Sequence, residues 1–489
     1  MKKKRPFDIS NLPSMNMSRR DFLCRSYNGI GALALAGVLA EELSGEKKLD
    51  PSKLPLPHLK RKAKHCIFMF MAGGVSHVDS FDYKPSLQDY AGQPLPRMSG
   101  LSGEIEGYLS KPHRVIPSAF PFKHYGQSGR AISTLFPSIG KCVDDLAFIY
   151  GIEVENNNHG PATMHVTTGS QFQGSASVGS WITYGLGSPN KNLPSYMVIQ
   201  DPRGAPVNGA ATWGSGYLPA TYQGTVLRSK GTPILHLELP KGVDRALQRK
   251  EFDLLNFLNS QHMHEKPDVS ELEARISAYE LAYRMQATAP EALDLSKESV
   301  ETKRLYGLDN PVTEGFGRQC LLARRLVERG VRHTLLVHGV EINKHSWDDH
   351  SNVKGRMQNH AAEVDLPVAG LLNDLKQRGL LEETLVVWAS EMGRTPFVND
   401  LKSKTPGRDH NQYALVMWLA GGDVKGGATV GATDEFGLKA LEEQIPLRDV
   451  HATILNLLGL DDTRLTYLHA GRFRRLTDIG GRVLSEIIA

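Results

Sequence analysis

The run His65-Cys-Ile-Phe-Met-Phe-Met71 is almost continuously apolar and stops at Ala72-Gly73-Gly74. A run of that length bounded by glycines predicts a strand buried on both faces, the pattern of a parallel sheet. Further strands are predicted at 146–150, 196–200, 331–338, 384–389 and 413–420. Between them the period changes. Phe316, Cys320, Ala323 and Val327 fall on one helical face, and Met357, Ala361, Val364, Val368, Leu371 and Leu375 recur with 4-3-4-3-4 spacing. Gly379 stands where that second helix should be capped. Strand–helix–strand alternation predicts an α/β fold with a doubly wound, mostly parallel sheet and helices on both faces. In such a fold the strands at 65–71, 331–338 and 384–389 should be parallel neighbours. Ligands should gather beyond their carboxyl ends.

The chain has 489 residues, enough for one large domain with insertions. Gly-, Pro- and Ser-rich stretches near 86–130 and a longer region near 201–300, charged and helical from about 245, read as such insertions into a body spanning 65–489. The net charge of +4 is local. Residues 1–40 carry seven basic side chains against two acidic ones, so the remainder is close to neutral. A basic nucleic-acid groove is therefore excluded. The basic excess belongs to Ser18-Arg-Arg-Asp-Phe-Leu23, a close match to the twin-arginine export pattern. The apolar stretch from Gly29 to Ala40 follows it and is too short to span a bilayer. Residues 1–40 thus read as a twin-arginine signal peptide and 41–64 as an exposed linker. The expected partner is the twin-arginine translocation machinery, the expected location the periplasm or cell surface, with no stable transmembrane segment after processing. Four scattered cysteines, one of them in the signal, argue against a disulfide framework or a zinc–thiolate cluster.

Candidate chemistry clusters at the ends of predicted strands. His77 and Asp79 follow the first strand, two apart in a glycine-bearing loop. Asp348 and His350 repeat that spacing after the strand 331–338. Glu391 and Arg394 follow the strand 384–389, and Asp409-His410 lies just beyond. The loop Asn156-Asn-Asn-His159 leads into a predicted helix whose N-terminus favours an anion. Carboxylates beside imidazoles suit borderline divalent ions, and the Arg394 fork suits a sulfate, phosphate or carboxylate. Each pair alone also fits a polar turn or a cap. The chain has no GxSxG elbow, no GxGxxG after a strand and no Walker A loop.

The combination Gly73-Gly-x-Ser-His-x-Asp-x-Phe-Asp82, Trp347-Asp-x-His350, Ser390-Glu-x-Gly-Arg-Thr-Pro396, Gly407-Arg-Asp-His-Asn411 and Gly431-Ala-Thr-Asp434 resembles the DUF1501 family over nearly all of residues 65–489. The resemblance implies an alkaline-phosphatase/sulfatase-like α/β fold. His159-Gly-Pro-Ala-Thr-x-x-x-x-Thr168-Gly169 is similar to the sulfatase signature. His159 stands at the nucleophile's place and Thr163 at that of the signature arginine, so formylglycine chemistry is not expected.

These readings lead to an exported, metal-dependent hydrolase of sulfate or phosphate esters acting on an anionic small molecule or glycan. The expected metal ligands are His77, Asp79, Asp348, His350, Glu391 and His410, around a divalent ion such as zinc, manganese or calcium. His159 and Arg394 are the expected catalytic residues. Arg394 would hold anionic oxygens, and His159 is left open as nucleophile, base or ligand. The alternative is a degenerate, non-catalytic relative that binds anionic glycans at the cell surface.

Overall fold

The computed structural model describes residues 57–96, 103–228, 244–265, 270–340 and 345–489. The proposed signal peptide, 1–40, and most of the linker lie outside them. Of the linker, residues 57–64 rest against the body. Leu59 N–H donates to Gly459 O at 2.9 Å, and the Lys64 ammonium meets the Glu383 carboxylate at 2.5 Å.

Nine strands form the central sheet: β1 (His65–Met71), β2 (Leu146–Glu153), β3 (Tyr196–Ile199), β4 (Thr225–Leu227), β5 (His333–His338), β6 (Thr384–Ala389), β7 (Leu415–Ala420), β8 (Thr429–Val430) and β9 (Ile445–Pro446). Their order is β8-β2-β7-β6-β1-β5-β3-β4, with β9 also pairing with β2. As predicted, β1 lies between β5 and β6, parallel to both, with Met71 opposite His338 and Phe70 opposite Ala389. The strands ending in the candidate residues therefore finish side by side. Only β7 runs antiparallel to its neighbours. The segment between β6 and β7 contains no helix. Without a crossover helix the chain turns back beside β6 in the opposite sense.

Seven helices matter for the core and the site: α1 (His159–Thr168), α2 (Val178–Leu186), α3 (Arg245–Glu265), α4 (Ser270–Leu293), α5 (Glu314–Glu328), α6 (Val353–Gln377) and α7 (Leu447–Leu457). Alternate residues of β1 separate the two sides of the sheet. Ile67, Met69 and Met71 pack with Phe316, Cys320 and Leu326 of α5 and Met357, Val364 and Leu371 of α6. Cys66, Phe68 and Phe70 pack with Ala162 and Val166 of α1, Trp181 of α2 and Val450 and Ile454 of α7. The 4-3-4-3-4 residues of α6 are all buried, and Gly379, just past its end, takes φ +69°. Truncating Leu371, which is fully buried, to alanine costs about 2–5 kcal/mol.

The expected insertions are partly structural. The Gly-rich region contributes a hairpin, Phe122–Tyr125 with Arg130–Ser133, and a short strand, Arg114–Val115, that pairs with Phe397–Val398 beyond β6. The region near 201–300 supplies edge strand β4 before the helices α3 and α4.

Candidate metal centre

At the carboxyl ends of β1, β5 and β6 the backbone turns closely enough to bring distant segments together. Gly73 follows β1 at φ +116°, and a Cβ there would stand 2.5 Å from Trp347 N and 2.6 Å from Asp348 N. Only glycine permits the loop after β5 to approach this way. At Gly407 a Cβ would stand 2.0 Å from the His350 carbonyl carbon. These approaches place Asp348, His350 and His410 around one point. His410 sits on a short strand, His410–Asn411, paired with Gly393–Arg394. His159 enters as the first residue of α1, whose N-cap Asn158 accepts from Gly160 N–H.

His159, Asp348, His350 and His410 each offer one donor atom, and the four atoms lie within 4.8 Å of one another. Asp348 Oδ1 is the hub. His350 Nε2 is 2.9 Å away, His159 Nε2 3.2 Å and His410 Nε2 3.3 Å. His350 Nε2 and His410 Nε2 are themselves only 2.9 Å apart. Asp348 and His159 are buried, while the His350 side chain is 43 % exposed and opens the group to solvent.

What lies behind each ring sets its tautomer. His410 Nδ1 is 2.7 Å from Asn157 O, an acceptor, so Nδ1 carries the hydrogen and Nε2 turns a lone pair inward. His159 Nδ1 is 2.8 Å from Glu391 Oε1, with the same consequence, and its Nε2 has no well-oriented hydrogen bond. His350 Nδ1 lies 3.6 Å from Asp409 Oδ1. A carboxylate or carbonyl behind an imidazole is the usual support of a metal-bound histidine. His350 Nε2 and His410 Nε2, 2.9 Å apart, sit together when a proton or a cation lies between them. Three imidazole nitrogens and one carboxylate oxygen fit zinc or another borderline divalent ion.

Burial opposes ionisation of Asp348, but the three histidine rings around it and the nearby Arg394 charge prevail and hold it well below the usual carboxylate range. Burial also opposes charge on Glu391, and the His159 bond outweighs it, again lowering the carboxyl. His159 responds in the opposite sense. Burial disfavours its charged form, but Asp348 and Glu391 raise it to about 9 without an ion. A proton on His159 then stands in for the cation.

The remaining expected residues are placed differently. Glu391 stands behind His159, outside the four-atom group, and also accepts from Gly73 N–H at 2.7 Å. Arg394 is fully buried and does not present a fork to an anion. Its Nε donates to Gly74 O at 2.8 Å, Nη1 to Arg408 O at 3.2 Å, and Nη2 to Gly73 O and, at 2.7 Å, to Asp348 Oδ1. It ties the loops together and orients Asp348. His77 is not in the group. Its Nε2 donates to Gly437 O at 2.7 Å and its Nδ1 accepts from Arg394 N–H. Asp79 is also elsewhere, paired with Arg408 at 2.5 Å and accepting from Ser76 Oγ and Ala119 N–H. Sequence reasoning missed Asn157 O, which supports the His410 ring, and Asp409, whose carboxylate lies near His350. A backbone carbonyl leaves no sequence signal, whereas Asp409, adjacent to His410, was in view.

A family model described as "Protein of unknown function (DUF1501)" matches residues 63–488. The chain belongs to the DUF1501 family. None of the curated proteins matches this DUF1501 protein. Among solved structures it is similar to the alkaline phosphatase of the Antarctic bacterium TAB5, at 10 % identity and TM-score 0.32, covering 81 % of this chain and 99 % of that one. It is also similar to a Pseudoalteromonas sulfatase, at 12 % identity and TM-score 0.31, over 85 % and 75 % of the two chains. The phosphonate monoester hydrolase of Silicibacter pomeroyi aligns at 10 % identity and TM-score 0.35, over 86 % and 76 %. At these scores the DUF1501 centre is read from its own geometry.

Proposed function

We propose that this protein is a metal-dependent hydrolase of sulfate or phosphate esters, exported by the twin-arginine pathway to the periplasm or cell surface. One observation carries the reading: three imidazole nitrogens from three separate segments converge on a single buried carboxylate oxygen. His159, Asp348, His350 and His410 would hold the ion. A divalent ion in such a setting polarises an ester and lowers the pKa of a bound water. Around it Arg394 keeps Asp348 oriented and ionised. Glu391 and Asn157 O hold the inward lone pairs of His159 and His410, and His350 forms the side open to an anionic substrate.

Metal analysis of the purified full chain should find about one divalent ion per chain. Hydrolysis of p-nitrophenyl phosphate or p-nitrophenyl sulfate should stop on chelation and return when the ion is restored. Protein prepared with zinc and manganese that retains neither sinks the reading. The export part has its own test. Replacing Arg19 and Arg20 together by lysine removes the guanidinium forks and should leave the protein in the cytoplasm of fractionated cells; unchanged export refutes it.

A second reading has one specific support. Four protein donors are the ligand count of a closed, structural site. On that reading the protein is non-catalytic and binds anionic glycans. Bound metal without turnover on either aryl ester favours it.

A further inference from the structure

A second cavity lies away from the metal centre. It is a cleft of about 470 Å³ at the other end of α1, beyond the carboxyl end of β2. His159 begins α1 and Thr168, which lines the cleft, ends it. At 1.5 Å per residue the two places are about 14 Å apart along the helix. The size suits a small organic ligand or a few sugar units.

Some polar groups in its wall are satisfied, Gln171 by Glu155 and Arg475 by Asp478 O, while three charged side chains have no hydrogen bond to protein among the described residues. Arg448, on the first turn of α7, makes no hydrogen bond or ion pair among the described residues. Arg474 Nε is buried without a hydrogen-bond partner, and its guanidinium lies over the Tyr217 ring at 5.9 Å. Glu153, the last residue of β2, has no hydrogen bond to its carboxylate among the described residues either, and burial followed by repulsion from Glu155 outweighs the attraction of the Arg448 charge and raises its pKa. At the rim Phe172 is 78 % exposed. Guanidinium forks bind carboxylate or sulfate oxygens in pairs, a carboxylate accepts from hydroxyls, and aromatic rings cover apolar faces. A bare inorganic anion would be repelled by Glu153. A ligand bearing both hydroxyls and an acidic group uses the whole wall.

We propose that this cleft binds an anionic saccharide, with Arg448 and Arg474 on its acidic groups, Glu153 on its hydroxyls and Phe172 against a ring face. The proposal goes beyond the hydrolase reading and does not depend on the metal. The test is calorimetric titration of the full chain with a chondroitin sulfate hexasaccharide, beside maltohexaose and inorganic sulfate. Expected is binding of the acidic hexasaccharide that survives chelation, exceeds that of either control and weakens at least tenfold in Arg448→Ala/Arg474→Ala. Metal content and melting temperature should match the parent protein. If the double variant does not fold, Arg448→Gln alone should show weakening in the same assay. Absence of binding to the parent protein, equal affinity for inorganic sulfate, or unchanged affinity in the folded variant overturns the proposal.

Discussion

Two histidine–aspartate sets lie at the same end of the sheet and have different fates. His77 and Asp79 follow β1, and Asp348 and His350 follow β5, with the same two-residue spacing. In the first set every strong polar group has a protein partner. Arg408 closes on Asp79, Gly437 O accepts from His77 Nε2, and Arg394 N–H donates to His77 Nδ1. In the second the outward nitrogens of His159 and His410 are satisfied, while the inward nitrogens of three rings crowd Asp348 Oδ1. Residue type does not separate a structural pair from a ligand set. The chemistry on the far side of each ring does.

The comparison breaks most visibly at Asp79. Asp79→Ala leaves the fully buried Arg408 charge unpaired and should cost about 3–5 kcal/mol. The loss should be the same with and without chelator in urea unfolding. A loss seen only in metal-containing buffer would mean that Asp79 serves the ion.

His350→Ala should behave in the opposite way. Its side chain is partly exposed, so chelated variant and chelated parent should unfold alike. With the ion at a hundred times its dissociation constant, the parent should gain about 2.7 kcal/mol that the variant lacks. Equal stability of the two proteins in metal would remove His350 from the ligand set.

Glu391→Gln sharpens the contrast more gently. The amide keeps the shape behind His159 and loses the charge. Metal affinity, read by competition with a chelating dye, should fall about 10–100-fold while the fold persists. No change would mean that the Glu391 charge does not tune the His159 ring.

Acid should separate the two sets with the smallest perturbation. Burial works against the Asp79 anion, but Arg408 and the hydrogen bonds lower its pKa below 3.8. Its contribution is therefore present above that value and lost only as pH falls through the lower, folded value. Imidazoles must be unprotonated to hold an ion. Lowering pH from neutral to about 5 should release metal while near-UV dichroism stays native, with metal content and dichroism followed on one sample. Simultaneous loss of both would show that the ion and the fold are inseparable.

Much of this was legible in the chain. The run ending at Met71 and the spacing along Met357–Leu375 gave the sheet and its covering helix, because both depend on local period. Asp348, His350 and His410 were legible as candidates, since they sit where strands end. The role of Asp79 was not, because its deciding partner, Arg408, lies 329 residues further on. Arg394 misled for a related reason. A guanidinium after a strand suggests an anion clamp, and nothing local reveals that carbonyls of Gly73, Gly74 and Arg408 will surround it.

The close approaches at Gly73 and Gly407 bear on how such a centre is recognised and rebuilt. A histidine ligand can be exchanged for another donor with the chain path unchanged. A side chain at Gly407 meets the backbone of His350, and one at Gly73 meets the backbone of Trp347 and Asp348. The blueprint of the centre is therefore written partly in two positions that contribute no functional group. A scaffold given the four ligands and denied those two absences would carry the donors and not the place where they meet.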